Sequence, residues 1–236
     1  MNNWQADFLT DIGQTDSFQD ILDVTQRTTN ALGFEYCSWV THLPLPLTRP
    51  EHFAVTTTED NVHNKVRAGT YGEAPVFQHC ETSTTPFSWL GHSDDPAFAL
   101  APHIFEDYFS WGHRGGWAQS VVDGVGTYSI FLAGSANVFE KKDIEHIDLH
   151  MQWITTAVHN NMFRARNGTD IKLTLREREI LRWTGDGKTA EDIATILHLN
   201  QNTVNFHLQN VMRKLDCPNK TAAVVKAIFL NLIFEH

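Results

Sequence analysis

The spacing of hydrophobic residues in the first two thirds of the chain switches between a helical and an extended period. Apolar residues recur about every 3.6 positions over 17–32, and Gly33 follows as a helix stop. Residues 34–40 (FEYCSWV) are typical of a strand, and residues 117–134 predict two strands joined through Asp123-Gly124, a common hairpin pair. This alternation predicts an α/β domain in which a sheet has helices packed on its faces.

A long amphipathic helix is predicted over 139–163. Its apolar stripe consists of Ile144, Ile147, Met151, Ile154 and Val158. Opposite that stripe, at i, i+3 and i+7, the helix carries three residues that could hold a metal ion with a fourth ligand: Asp143, His146 and His150. Because the sequence has no HExxH, we interpret them as a solvated face and keep a metal-dependent enzyme as the alternative. The metal content of the purified protein distinguishes the two interpretations.

The pattern becomes wholly helical towards the end of the chain. Residues 164–172 (RARNGTDIK) are polar and are predicted as a linker between domains 1–163 and 173–236. Three helix starts are predicted beyond it from caps at Thr174 with Glu177, Thr189 with Asp192, and Asn200. A last helix is predicted over 220–234, so the second domain is all-α with four helices.

Two of these short helices, joined by the tight turn HLNQ, have the pattern of a helix-turn-helix. If Val204 and Leu208 face the core, the opposite side of the second helix is rich in amides and exposes a phenylalanine. Asn and Gln can pair with adenine edges, Arg with guanine, and an aromatic edge can meet a thymine methyl group. The predicted DNA-binding residues are Asn202, Thr203, Asn205, Phe206, Gln209, Asn210, Arg213 and Lys214.

The formal net charge of −10 argues at first against a nucleic-acid partner, because phosphate neutralisation requires clustered Lys and Arg. The charge is unevenly distributed, however. Residues 1–169 hold 9 Lys and Arg against 20 Asp and Glu, whereas residues 170–236 hold 9 against 8. The acidity belongs to the first domain, so the helical domain remains a candidate for binding double-stranded DNA.

Residues 173–224 closely resemble the DNA-binding domain of LuxR-type regulators. The resemblance rests on the REREIL opening, the GKT turn, EDIA, TVNFH, the N-V-x-x-K-L end and NKTAAV. It implies a four-helix unit in which residues around 203–214 enter the major groove and the last helix helps to form a homodimer. A pseudo-palindromic operator is then expected.

Most of residues 1–165 resemble, more loosely, the autoinducer-binding domain of quorum-sensing regulators. LGFEYCSWV, PLPLTRP and FEDYFSWGHRGGWAQSVVDGVG carry this resemblance. It implies that an acyl-homoserine lactone is enclosed between the sheet and helices. In that family a Trp holds the lactone carbonyl, an Asp takes the amide N–H, and Tyr and Ser bind the acyl carbonyl.

The segment VHNKVRAGTYGEAP departs from that family's pattern. Val62 and Val66 stand where it has aromatic residues, and Ala74 precedes Pro75 where it has Asp, with Glu73 as a possible substitute. The pocket should therefore prefer a signal other than an ordinary acyl-homoserine lactone, and a ligand-independent regulator is a further alternative. The predicted ligand-binding residues are Ser38, His42, Val62, Val66, Tyr71, Glu73, Trp89 and Trp117.

Other features narrow the class of protein. No run reaches the roughly 18 apolar residues of a membrane helix, and the start MNNWQADFLTDIG lacks the pattern of a signal peptide, so a cytoplasmic protein is expected. The three cysteines are widely spaced with no CxxC, which argues against disulfides and zinc. With no GxSxG or P-loop, we predict a regulator and not an enzyme, with no cofactor besides the signal molecule.

Overall fold

The computed structural model describes residues 3–43, 48, 51–58, 65, 72–124, 126–167 and 171–234. The chain divides into two compact units, residues 1–165 and 166–236. No helix within the described ranges is long and apolar enough to cross a membrane.

The first unit is built on one antiparallel sheet. Its strands are β1 (Tyr36–Leu43), β2 (Glu51–Thr56), β3 (Phe87–Trp89), β4 (Gly116–Gly124) and β5 (Thr127–Gly134). They lie in the order β2-β1-β5-β4-β3, and every neighbouring pair is antiparallel. The helices are α1 (Trp4–Gly13), α2 (Phe18–Asn30), α3 (Pro75–Thr82), α4 (Pro96–Leu100), α5 (Pro102–Ser110) and α6 (Lys141–Asn167).

Both faces of the sheet are covered, because successive side chains of a strand point to opposite sides. Cys37 and Trp39 of β1 belong to the core formed with α1, α2 and α6. Ala118 of β4 and Ile130 of β5 belong to a second core formed with α3, α4 and α5. The predicted α/β architecture, a sheet with helices on its faces, is confirmed.

Two local predictions in this unit need correction. The hairpin closes at the pair Gly124 and Thr127, so Asp123 and Gly124 belong to β4 and not to the turn. Gly126, after the end of β4, has the positive φ of 71°. Helix α6 continues through residues 164–167, so the first four residues of the predicted linker are helical. The prediction ended the helix too early because it followed the apolar stripe. Residues 164–167 are mostly polar and carry no such stripe, although they are helical.

The second unit contains the four predicted helices, α7 (Leu175–Gly185), α8 (Ala190–Leu197), α9 (Gln201–Lys214) and α10 (Lys220–Phe229). Thr174 and Thr189 form capping boxes with Glu177 and Asp192, and Asn200 caps α9, so all three predicted starts are confirmed. The buried residues that unite the helices include Ile180, Leu181, Ile193, Val204, Val211, Leu215, Ala223 and Ala227.

The last helix is shorter than the predicted 220–234. Asn231 has φ +54°, and its N–H donates to the Ile228 carbonyl at 3.0 Å. The N–H of Leu232 donates to the Ala227 carbonyl at 2.9 Å. These two bonds form a Schellman cap, which ends α10 at Phe229 because Asn tolerates the left-handed conformation better than most residues.

Candidate functional site

A cavity of about 110 Å³ lies in the first unit between the sheet and the layer of α3 and α5. That volume is several times the roughly 10–15 Å³ that one water molecule requires. The lining is mostly apolar and aromatic. It consists of Tyr36, Ser38, Val40, Thr58, Ala74, Val76, Phe77, Trp89, Ile104, Phe105, Tyr108, Trp111, His113, Leu132, Ala133 and Gly134.

The polar groups around the cavity are partly engaged with one another. The Ser38 and Thr56 hydroxyls are 2.7 Å apart, and the Thr56 hydroxyl is 2.8 Å from that of Thr58. The indole N–H of Trp89 donates to the Arg114 carbonyl at 3.0 Å. Burial raises the pKa of Tyr108, so its phenol stays uncharged. No carboxylate, Lys or Arg appears in the lining formed by the described residues.

Two glycines of the sheet, Gly116 and Gly134, leave space for the aromatic side chains of Trp89 and Tyr108. A Cβ at Gly116 would overlap the Trp89 ring, so only glycine at this position of β4 allows the indole to lie against the strand. A Cβ at Gly134 would lie 2.8 Å from the Tyr108 hydroxyl. Tyr108 and Trp89 therefore approach the sheet more closely than a side chain there would permit.

The structure brings two of the predicted ligand-binding residues, Ser38 and Trp89, to the cavity. Trp117 is placed differently from the prediction: it points to the opposite face of the sheet, fully buried, and its N–H donates to Asp148 at 2.8 Å. Glu73 is exposed and does not line the cavity. Val62, Val66 and Tyr71 lie outside the described residues.

His42 shares a sheet face with Ser38 but lies beyond the cavity. Its ring stacks on Tyr128 with centroids 5.0 Å apart, and its Nδ1 is 3.4 Å from Nε2 of His52. Burial lowers the pKa of His42, and the neighbouring His52 lowers it further. His42 therefore contributes to packing at the end of β1 and is absent from the cavity lining.

Helix α9 presents the predicted amide-rich face in the second unit. Val204, Leu208 and Val211 are buried, which leaves the opposite side of the helix open. Phe206 is 59% exposed. The other exposed or half-buried members of this face are Asn202, Asn205, Gln209, Asn210 and Arg213.

Two of the predicted DNA-binding residues make contacts inside the domain. The Thr203 hydroxyl donates to Oδ1 of the capping Asn200 at 2.9 Å. The Lys214 Nζ is 2.7 Å from Oε2 of Glu177 and donates to the Lys172 carbonyl at 3.0 Å. Lys214 therefore has a structural role that the helical periodicity alone did not reveal.

Comparison with known proteins covers both units. Residues 17–162 match the family described as "Autoinducer binding domain", and residues 172–227 match "Bacterial regulatory proteins, luxR family". The chain belongs to the LuxR family. It is 32% identical to the transcriptional activator protein AnoR of Acinetobacter nosocomialis, over 99% of this chain and 100% of that protein.

Solved structures of this family have the same fold. The crystal structure of Escherichia coli SdiA aligns with a TM-score of 0.79 at 25% identity and covers 98% of both chains. A structure of SdiA in complex with octanoyl-rac-glycerol aligns equally well, over 99% of this chain and 96% of that one. This LuxR-family protein is thus a quorum-sensing transcriptional regulator with an autoinducer-binding domain and a DNA-binding domain.

Membership of the LuxR family excludes the enzyme alternative. Two of the three residues that raised it have other contacts in the structure. Asp143 Oδ2 accepts from the Glu140 N–H at 3.0 Å, and the ring of His150 packs on Trp4 with centroids 5.6 Å apart. Across the described ranges, no three His, Cys, Asp or Glu side chains are grouped to hold a metal ion.

Sequence reasoning missed several lining residues of this LuxR-family cavity. Tyr36 lies two residues before Ser38 on β1, so strand alternation could have identified it. Tyr108, Trp111 and His113 belong to the segment FEDYFSWGHRGGW, which carried the family resemblance as a whole. Their individual positions depend on how α5 packs on the sheet, and no sequence period encodes that packing.

Replacing Lys214 with alanine is expected to destabilise the DNA-binding domain by about 1–3 kcal/mol, because Glu177 is nearly buried and would lose its charged partner. Burial raises the pKa of Glu177, but hydrogen bonds from Lys214 and Thr174 outweigh this and hold the pKa below its ordinary value of 4.5. The ionised carboxylate therefore adds stability above that pH, which is lost as the pH falls through the lowered pKa.

Thermal unfolding from pH 7 to pH 3 measures this effect. The Lys214→Ala variant should lose the part of the acid-dependent change in this domain that the Lys214–Glu177 pair contributes. Lys220→Ala removes an exposed lysine of α10 for which the described residues show no ion pair, and it serves as the control. If Lys214→Ala melts like the wild type at pH 7, the ion pair makes no contribution to stability.

Proposed function

We propose that this LuxR-family protein is a transcription factor whose affinity for DNA is set by occupancy of the cavity in its first unit. The composition of the cavity carries the proposal, because hydroxyl, indole and imidazole groups stand among apolar side chains without a charged residue in the described lining. Such a site suits an uncharged amphiphile with a small polar head and an acyl tail. We infer an acyl-homoserine lactone or a related small signal as the ligand, and no further cofactor.

Within that class, Ala74 favours a ligand that has no amide. It is buried and lines the cavity at the position, before Pro75, where the family resemblance leads one to expect Asp. A buried amide N–H without an acceptor costs about 1–3 kcal/mol. Octanoyl-rac-glycerol, the ligand of the SdiA complex, supports this choice because it has an ester in place of the amide.

Octanoylglycerol is therefore expected to bind the full-length protein more tightly than N-octanoyl-homoserine lactone. Ala74→Asp should strengthen lactone binding about ten-fold or more by supplying a carboxylate acceptor for the amide N–H. Isothermal titration calorimetry with both ligands measures the two affinities. Glu73→Ala is the matched control, since this carboxylate is exposed outside the cavity. Tighter binding of the lactone by the wild type would contradict the preference.

The cavity also bears on the ligand-independent alternative. A ligand-independent regulator would fill this interior with its own side chains. The space of about 110 Å³ beside the sheet argues against that alternative. Equal operator affinity with and without octanoylglycerol would nevertheless favour that alternative.

We further propose that the DNA-binding form is a cytoplasmic homodimer on a pseudo-palindromic operator. The second domain has 9 Lys and Arg against 8 Asp and Glu over residues 170–236, so one copy can neutralise few phosphates. Two copies double these contacts and read two half-sites. Dimerisation then compensates for the weak charge of each DNA-binding domain.

A further inference from the structure

The imidazole of His113 has a buried nitrogen without a partner. His113 is 4% exposed and lines the cavity of the first unit. Among the residues that the structure describes, its Nδ1 atom has no hydrogen-bond partner. Buried polar atoms are nearly always hydrogen-bonded, so an exception beside a cavity marks a position where another molecule can bind.

Neighbouring rings hold this imidazole in place. It stacks on Tyr36 with centroids 4.0 Å apart and an interplanar angle of 25°, and it packs against Tyr108 at 4.8 Å. On the strand below, a Cβ at Gly134 would lie 3.3 Å from Nδ1 and 2.8 Å from the Tyr108 hydroxyl. The two polar atoms therefore flank the side of β5 where Gly134 has no side chain.

The ring is uncharged at neutral pH. Burial lowers the pKa of His113 to about 4, and the carboxylate of Glu35 opposes this only in part. The titratable groups that pack against the ring, Tyr36 and Tyr108, are phenols. A neutral imidazole nitrogen either donates or accepts, depending on the tautomer, and a hydroxyl group can do both. A hydroxyl is therefore the partner that suits Nδ1 in either tautomer.

We propose that Nδ1 of His113 hydrogen-bonds a hydroxyl group of an uncharged ligand, which makes His113 a specificity-determining residue of the cavity. This inference rests on the proposed function, because it names the group that the cavity recognises. The protein then selects hydroxylated amphiphiles over molecules of equal acyl length that lack a free hydroxyl. The apolar lining holds the acyl chain of both kinds of ligand.

Two ligands and two variants of the full-length protein test the proposal. Octanoylglycerol has free hydroxyl groups, whereas methyl octanoate has the same acyl chain and none. His113→Phe keeps an aromatic ring for stacking and removes the nitrogen. His113→Asn places an amide close to the position of Nδ1. Calorimetric titration gives the ratio of the two affinities for each protein.

The wild type is expected to prefer octanoylglycerol by about ten-fold or more, as loss of a hydrogen bond to a buried group implies. His113→Phe should lose this preference and keep its affinity for methyl octanoate, and His113→Asn should recover part of the preference. A His113→Phe protein with the full preference overturns the proposal. So does an equal loss of affinity for both ligands, which would show that the ring acts through packing alone.

A measurement on the wild type tests the proposal independently of the folding of any variant. In protein labelled with ¹⁵N-histidine, the Nδ1 resonance of His113 should shift with octanoylglycerol and stay in place with methyl octanoate. The same shift with both ligands overturns the proposal. A wild type that binds N-octanoyl-homoserine lactone but neither ester refutes the proposed preference for a ligand without an amide, and one that binds none of the three refutes the proposed function itself. Equal binding of the two esters refutes only the role of His113.

Discussion

Arg213→Ala is expected to abolish binding of the operator and leave ligand binding intact. Arg213 is exposed near the end of α9, and its guanidinium donates to Oδ1 of Asn210 at 3.0 Å, which orients it on the open face of the helix. A bidentate contact from arginine to guanine contributes about 1–3 kcal/mol. In a dimer two such contacts are lost, which lowers affinity by roughly 30-fold to more than 10⁴-fold.

Fluorescence anisotropy with a labelled operator, at one fixed salt concentration, measures this loss. Arg27→Ala is the control, because Arg27 is an exposed arginine in the last turn of α2 and its removal changes net charge equally. The two variants separate a local contact in the groove from a general electrostatic effect. Operator affinity of Arg213→Ala within a few-fold of the wild type would contradict the assignment of α9 to the groove.

The contrast between Arg213 and Lys214 shows what helical periodicity predicts. A helical wheel placed Val204 and Leu208 in the core and the amide-rich face opposite them, and the structure agrees. Lys214 lies at the border of that face, where its long side chain can reach either solvent or the neighbouring helix. Its ion pair with Glu177 joins residues 37 positions apart, so no local pattern could predict it.

Helix caps, unlike the Lys214–Glu177 ion pair, could be predicted because their partners are close together in the sequence. Thr174 and Glu177 are three residues apart, and their mutual hydrogen bonds need only the geometry of one helical turn. The cap of α9 at Asn200 follows the same rule. Because these contacts lie within one segment of chain, composition and spacing determine them.

The cavity depends instead on which side of the sheet each strand residue faces. The sequence of β4, GWAQSVVDG, has apolar residues at both parities, so alternation does not show which side is the cavity. A Cβ at Gly116 would meet the Trp89 ring, which lines the cavity, whereas Trp117 belongs to the other core. The structure places Trp117 away from the cavity for this reason, since register against β5 decides the orientation.

Trp117→Ala is accordingly expected to unfold the sensor domain at lower temperature rather than to change its ligand selectivity. The indole is fully buried, so its removal leaves a large void and costs about 3–5 kcal/mol. It also leaves Asp148 Oδ1 without the indole N–H that it accepts at 2.8 Å. A loss of this size is a large fraction of the stability of one domain.

Trp117→Phe makes the experiment specific, because it retains most of the apolar volume and removes the hydrogen bond to Asp148. Its expected cost is about 1–2 kcal/mol, with the preference for octanoylglycerol over methyl octanoate unchanged. Gly116→Ala is the matched variant on the other side of the strand: its Cβ would displace Trp89 and weaken ligand binding. Thermal unfolding and calorimetric titration of the three variants therefore separate the two faces of β4. A Trp117→Phe protein with wild-type stability and altered ligand preference would place the indole in the cavity instead.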